Sequence, residues 1–295
     1  MSTEQNTSDA FILQDFLLHN TRVPRFIYGT AWKEEATGEL ALKALNKGFS
    51  GIDTANQRKH YYEAGVGEAL KRFYQSSGRQ RSDLYLQTKF TYQEGQDERL
   101  PYDPNAPITQ QVEQSFASSL EHLGTDYLDA YLLHGPSQRE GLGEADFDVW
   151  KTMESFYRSG HIKLLGVCNV SADQLEFLNQ QVAIKPMLVQ NRCYAHTGWD
   201  SHVREVCRRH DIHYQGFSLL TANQHITQAP AFREIARRAG LTDAQVIFQA
   251  CLRMNMIILT GTQSDEHMAQ DLNCHTTTLS DNEVETIEKI FLNQQ

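Results

Sequence analysis

The 295-residue chain has no apolar run approaching the ~20 residues needed to cross a bilayer, which excludes a membrane-spanning helix. Its first residues, MSTEQNTSDA, have neither the basic start nor the apolar core of a secretory signal; residues 1–10 read as a disordered tail, and the protein is expected in the cytoplasm. The five cysteines, Cys168, Cys193, Cys207, Cys251 and Cys274, contain no C-x-x-C pair, which argues against a disulfide framework or a thiolate zinc site and for reduced, buried thiols. Positive charge is scarce too: 27 Lys and Arg against 37 Asp and Glu give a formal net charge of −10, opposing any general attraction to nucleic acid. Also missing is a G-x-G-x-x-G turn after the first strand-like run, the fingerprint of one kind of open, doubly wound sheet.

What is present is a rhythm. Short apolar, β-branched or aromatic runs at 25–31, 50–55, 84–90, 127–134, 163–169, 186–191, 213–220 and 256–262 read as eight strands. Between them lie stretches of helical spacing, such as Ile108, Val112, Phe116, Leu120 and Leu123. Capping-box pairs mark helix starts at Ser171/Gln174, Thr242/Gln245 and Ser280/Glu283. Strands alternating with helices imply parallel pairing, and eight such units in a chain of this length favour one closed (β/α)₈ TIM barrel, residues 11–295, over an open doubly wound sheet. The segment 11–24 is strand-like on both sides of His19 and Asn20 and reads as a β-hairpin closing the barrel's bottom. Residues 91–107, polar and proline-bearing, read as a loop overhanging the opposite face.

Active sites in such barrels gather at the C-terminal ends of the strands. Those ends carry Asp53, Lys89 and His134, each a polar residue finishing an apolar run, with Tyr61 and Tyr62 in the loop after Asp53. Singly, each has an ordinary structural explanation; together they point to chemistry.

Five stretches make this more specific: GIDTANQRKHYYEAGVGEAL (51–70), LYLQTKF (84–90), SLEHLGTDYLDAYLLHGP (119–136), GHIKLLGVCNVS (160–171) and VQNRCY (189–194). In content and order the chain resembles the aldo-keto reductases over nearly all its length. The resemblance implies an NAD(P)H-dependent carbonyl reductase with a tetrad of Asp53, Tyr61, Lys89 and His134. The family's spacing counted back from Val66 and Gly67 lands on His60, with Tyr61 one deletion away and Tyr62 two. Tyr61 is preferred because Tyr62 abuts a helix beginning near Glu63. The physical logic stands beside the resemblance. A carbonyl that receives a hydride needs a proton at its oxygen, a phenol supplies one, and a neighbouring ammonium, kept charged by a carboxylate, favours the phenolate.

The same resemblance implies an extended NADPH across the barrel mouth, touching Gly29 and Thr30. Asn169 and Gln190 would hold its carboxamide, Phe217 would stack on the nicotinamide, and Ser218 and Leu220 would flank the pyrophosphate. Cys168 stands where a serine is commoner. NADPH-preferring members commonly carry a lysine and then an arginine where this chain has Gly261 and His267, so NAD is also possible. Gly261 and Thr262 lead into a helix whose N-terminus is an anion site. Asp271 faces either adenine or solvent. Trp32, Tyr92 and Trp199 would line the pocket for a small-molecule carbonyl substrate, and the C-terminal loop beyond the last helix looks short. A monomer is expected. Two other readings remain: a cofactor-sensing regulatory protein of the same fold, and a metal-assisted hydrolase, for which only Asp53 and His134 are evident as ligands.

Overall fold

The computed structural model describes residues 15–274 and 278–290; the tail expected at 1–10 and residues 11–14 of the hairpin segment lie outside them. Strands β1 (Phe16–Leu18) and β2 (Thr21–Val23) pair antiparallel. Between them His19 (φ 46°) and Asn20 (φ 63°) both adopt left-handed backbone, the two-residue turn whose twist matches its flanking strands. The Phe16 ring lies 4.6 Å from the ring of His213 and 4.4 Å from the Arg25 guanidinium. Both partners stand where barrel strands begin, so the hairpin covers the bottom as its sequence implied.

The barrel strands are β3 (Phe26–Gly29), β4 (Gly51–Asp53), β5 (Tyr85–Phe90), β6 (Leu128–Leu133), β7 (Ile162–Cys168), β8 (Leu188–Arg192), β9 (His213–Phe217) and β10 (Ile257–Thr260). Each pairs in parallel with its successor and β10 pairs with β3, closing an eight-stranded barrel. All eight expected strands are present, and most end earlier than expected. Around them lie α1 (Thr37–Lys47), α2 (Glu63–Ser77), α3 (Ile108–Leu123), α4 (Glu144–Arg158), α5 (Ala172–Gln181), α6 (Ser201–His210), α7 (Pro230–Ala239), α8 (Asp243–Arg253), α9 (Asp265–Leu272) and α10 (Asp281–Lys289). All three expected capping boxes form, at the starts of α5, α8 and α10.

Side chains alternate across each strand, which splits the core in two. Leu86, Phe90, Tyr131, Leu133 and Val167 face the helices, where Val112 and Phe116 of α3 meet them. Tyr85, Ala130, Leu132, Leu164 and Leu188 face the interior, with Leu18 and Val23 of the hairpin below. Fully burying a side chain such as Leu or Phe is worth about 1.5–3 kcal/mol.

Helix α2 passes very close to the end of α3 at Gly67, where an added β-carbon would stand 1.9 Å from the carbonyl oxygen of His122. Gly67→Ala is therefore expected to destabilise the fold by about 1–3 kcal/mol or more, since backbone cannot yield as a side chain does. Urea unfolding checks this, and an unchanged midpoint would mean that α2 and α3 do not make this close approach.

Candidate active site

In β5 the alternation aims Tyr85, Gln87 and Lys89 into the barrel, so Lys89 reaches its C-terminal mouth with no solvent exposure. Its ammonium donates to Asp53 Oδ1 at 2.7 Å and to the Thr54 carbonyl at 2.7 Å. Burial alone would lower the pKa of this lysine; the Asp53 carboxylate reverses the effect and holds it above the ordinary lysine range. Asp53 Oδ1 accepts two further bonds, from Gln87 Nε2 at 2.6 Å and Gln190 Nε2 at 3.0 Å. Both of those amides also donate to Gln215 Oε1, each at 2.9 Å, and Gln215 Nε2 returns a bond to Gln87 Oε1 at 3.0 Å. A layer of amides thus supports the ion pair from inside the barrel, satisfying groups that would be costly to bury unpaired.

The ammonium of Lys89 also lies 5.1 Å from the ring centroid of Tyr61, and the His134 ring meets that phenol edge-on at 5.8 Å. Burial pushes the Tyr61 phenol up to about 12; the charge of Lys89 pulls against it, Asp53 and Cys168 add to it, and a hydrogen bond to Lys89 opposes it last. The ammonium's downward pull expected from the sequence is present, but desolvation outweighs it. Burial, with the charges of Lys89 and His60, keeps His134 well below the usual histidine range and hence neutral. Its Nδ1 lies 2.7 Å from Thr91 Oγ1. Tyr62 points elsewhere: the Arg58 guanidinium sits 4.3 Å from its ring centroid and its edge abuts Gly65 of α2.

One cavity of about 440 Å³ at the barrel mouth is lined by Asp53, Tyr61, His134, Asn169, Gln190 and Phe217, and by Gly29, Trp32, Ser218, Leu220, Gly261 and Thr262. The model of the Aldo/keto reductase family matches residues 27–291, nearly the whole chain and every strand of the barrel. The chain belongs to that family. It is 28% identical over 277 residues to an uncharacterized oxidoreductase, YtbE, of Bacillus subtilis, covering 92% of this chain and 91% of the relative. A glyoxal reductase of the same organism is 27% identical over 278 residues, covering 92% and 91%. The crystal structure of an aldo/keto reductase from Brucella melitensis superposes with a TM-score of 0.78 at 24% identity, covering 93% of this chain and 97% of that one. An aldose reductase structure from Schistosoma japonicum gives 0.79 at 22%, covering 94% and 91%. Membership makes this aldo-keto reductase an oxidoreductase, in a family that generally uses NAD(P)H.

Several residues expected at the pocket of the reductase lie off its wall. Trp199 is wholly buried, because Gly198 (φ 65°), Trp199 (φ 57°) and Asp200 (φ 59°) are all left-handed and fold the indole into the core. Tyr92 is turned aside by its hydroxyl, which donates to Asp146 Oδ1 at the start of α4 at 2.8 Å. Asp271 does not face solvent: it is buried, accepts from Thr260 Oγ1 at 2.8 Å, and burial pushes its carboxyl up to about 6. Thr30 is buried, with its hydroxyl donating to the Asp53 carbonyl at 2.9 Å. His267 is exposed in the first turn of α9, outside the cavity lining.

Sequence reasoning missed Lys33, which is buried at the same cavity and donates to the Gly261 carbonyl at 2.7 Å. Burial pushes its ammonium down to about 8. A β-carbon at position 261 would come 3.2 Å from Lys33 Nζ and 3.1 Å from the Gly29 carbonyl oxygen, so the lysine occupies room that a side chain at 261 would need. Gln87 and Gln215 were missed as well. Counting two residues back from Lys89 places Gln87 inside the barrel, and that alternation was the available signal.

Proposed function

We propose that the chain reduces aldehydes or ketones with a hydride from NADPH, Tyr61 giving the proton to the carbonyl oxygen. The observation that carries this reading is the meeting of Tyr61, Asp53 and neutral His134 on one cavity wall, with Lys89 buried behind them against Asp53 and the Tyr61 ring. The cofactor, when bound, supplies the hydride. Every other demand of the reaction falls on the chain. His134 holds the carbonyl oxygen, Tyr61 donates its proton as negative charge develops there, and Lys89 stabilises the phenolate left behind. Asp53 keeps Lys89 charged, with Gln87 and Gln190 holding the carboxylate and Gln215 bracing both amides.

The donor set fits a nicotinamide dinucleotide. Both amide hydrogens of Gln190 are used inside the barrel, so its carbonyl oxygen is what it offers a carboxamide. Asn169 Nδ2 donates one hydrogen to the His134 carbonyl at 2.7 Å and keeps the other for the pocket. Phe217 supplies a flat apolar face. Lys33 supplies a cation beside Gly29, Gly261 and Thr262, which supports phosphate binding despite a glycine and a histidine at 261 and 267.

Titration with NADPH and NADH, followed through tryptophan fluorescence, tests the cofactor reading, and NADPH oxidation with a panel of aromatic aldehydes tests the activity. Saturable quenching with turnover is expected; absence of both ends the proposal. Lys33→Met should weaken NADPH binding about 10-fold, the worth of one charge-assisted contact of about 1.5 kcal/mol. In the unmodified protein NADPH affinity should fall as the pH rises past about 8, because the free Lys33 loses its proton there, while the methionine variant stays flat.

A further inference from the structure

We infer that Thr91 is a positioning residue that fixes the tautomer of His134, making Nε2 the protonated nitrogen offered to the pocket. The inference rests on the carbonyl-reductase reading of that pocket. Thr91 follows β5, two residues beyond Lys89, and is buried, with its hydroxyl oxygen 2.7 Å from His134 Nδ1. A neutral imidazole carries one N–H, so the direction of this one bond decides which nitrogen faces substrate. Among the described residues the Thr91 hydroxyl has no hydrogen-bond partner other than His134 Nδ1. Were Nδ1 protonated, it would donate to Oγ1 and the hydroxyl proton would be buried with no acceptor. With the hydroxyl donating to a bare Nδ1, both groups are satisfied, and Nε2 carries the hydrogen.

The threonine is held so that it cannot easily turn away. Its carbonyl accepts from Tyr102 Oη at 2.8 Å and Gln96 Nε2 at 3.4 Å, tying the backbone to the loop above. Its methyl group lies against Gly95, where an added β-carbon would stand 2.7 Å from Cγ2. Turning the side chain about its Cα–Cβ bond would drive a methyl out of that packing. The neutrality of the imidazole follows from burial together with the charges of Lys89 and His60. A neutral ring protonated on Nδ1 would face a carbonyl oxygen with a lone pair. Protonated on Nε2 it offers a donor, which is what a carbonyl accepting a hydride requires.

The direct test is ¹⁵N NMR of ring-labelled histidine in the cofactor-free protein, with the His134 signals assigned from a His134→Asn sample. The expected spectrum has a protonated Nε2 and a bare, hydrogen-bonded Nδ1; a protonated Nδ1 overturns the inference. Thr91→Val keeps the shape and removes the hydroxyl. It should lose the single-tautomer signature and lower kcat by about 10–100-fold, the range for groups that orient a metal-bound histidine. KM should change less, and Thr91→Ser should restore both the spectrum and the rate. A valine variant with an unchanged tautomer and kcat would equally sink the assignment. Should the valine variant fail to fold, the spectrum of the unmodified protein still decides. If the unmodified protein turns over no carbonyl, the reading of the pocket fails, yet the spectrum still reports which nitrogen Thr91 leaves protonated.

Discussion

Tyr61→Phe is expected to lower carbonyl turnover by about 10²–10⁴-fold, the usual contribution of a positioned proton donor, while fluorescence titration finds NADPH binding nearly unchanged. Tyr62→Phe should stay within a few-fold of the unmodified rate. The asymmetry follows from placement: Tyr61 has the Lys89 ammonium and the His134 ring against it, whereas Tyr62 is sandwiched between Arg58 and Gly65. Equal losses in both variants would mean a packing effect, and a loss confined to Tyr62→Phe would transfer the proton to the other phenol.

The phenol's raised pKa, about 12, gives this prediction a pH dependence of definite sign. Reduction uses protonated Tyr61, the dominant form throughout the neutral range, so its rate should show no loss from this group until strongly alkaline pH. The alkoxide forming at the substrate is a stronger base than phenolate, so donation proceeds downhill from a weakly acidic phenol. Oxidation of an alcohol needs the phenolate, which is rare at neutral pH, and its rate should climb as the pH rises. An oxidation rate that is flat between pH 6 and pH 10, by contrast, would remove Tyr61 from the proton transfer.

Much of this was legible in the chain. Eight apolar runs separated by amphipathic stretches announce a barrel because each strand must bury both faces, and a polar residue ending such a run stands out against it. Asp53, Lys89 and His134 were found that way. What stayed hidden depends on contacts between distant segments. Lys33 sits in WKEEA, a charged run that reads as solvent-facing, and is buried only because Gly261, 228 residues away, leaves room for its ammonium. Trp199 read as a pocket wall because a run of left-handed residues cannot be seen in its sequence, and that run is what turns the indole inward. The weight of desolvation at Tyr61 was also invisible, since it is set by neighbours drawn from several strands.

Asp53→Leu should cost about 3–5 kcal/mol of stability at neutral pH, the usual penalty for stranding one member of a buried ion pair, and should abolish turnover. The loss has two sources. Lys89 keeps a buried charge with no counter-ion, and the Nε2 groups of Gln87 and Gln190 lose a shared acceptor. Lys89→Met strands the carboxylate instead and should cost a similar amount, about 3–5 kcal/mol. The double variant removes both charges, so its loss should fall well short of the sum of the two singles, while activity remains absent. Urea unfolding of all four proteins measures the coupling, and simple additivity would mean that the pair is not the closed, buried unit described. The pH dependence supplies an independent sign. With Asp53 present, the Lys89 pKa is higher folded than unfolded, so its stabilisation is complete below about pH 10.4 and is lost as pH rises through the folded value. Without Asp53, burial is the largest remaining influence and lowers the folded pKa below the unfolded one. The unfolded chain then binds more protons, and the leucine variant should gain stability as the pH is raised towards 10, a slope opposite to that which Lys89 gives the unmodified protein at higher pH.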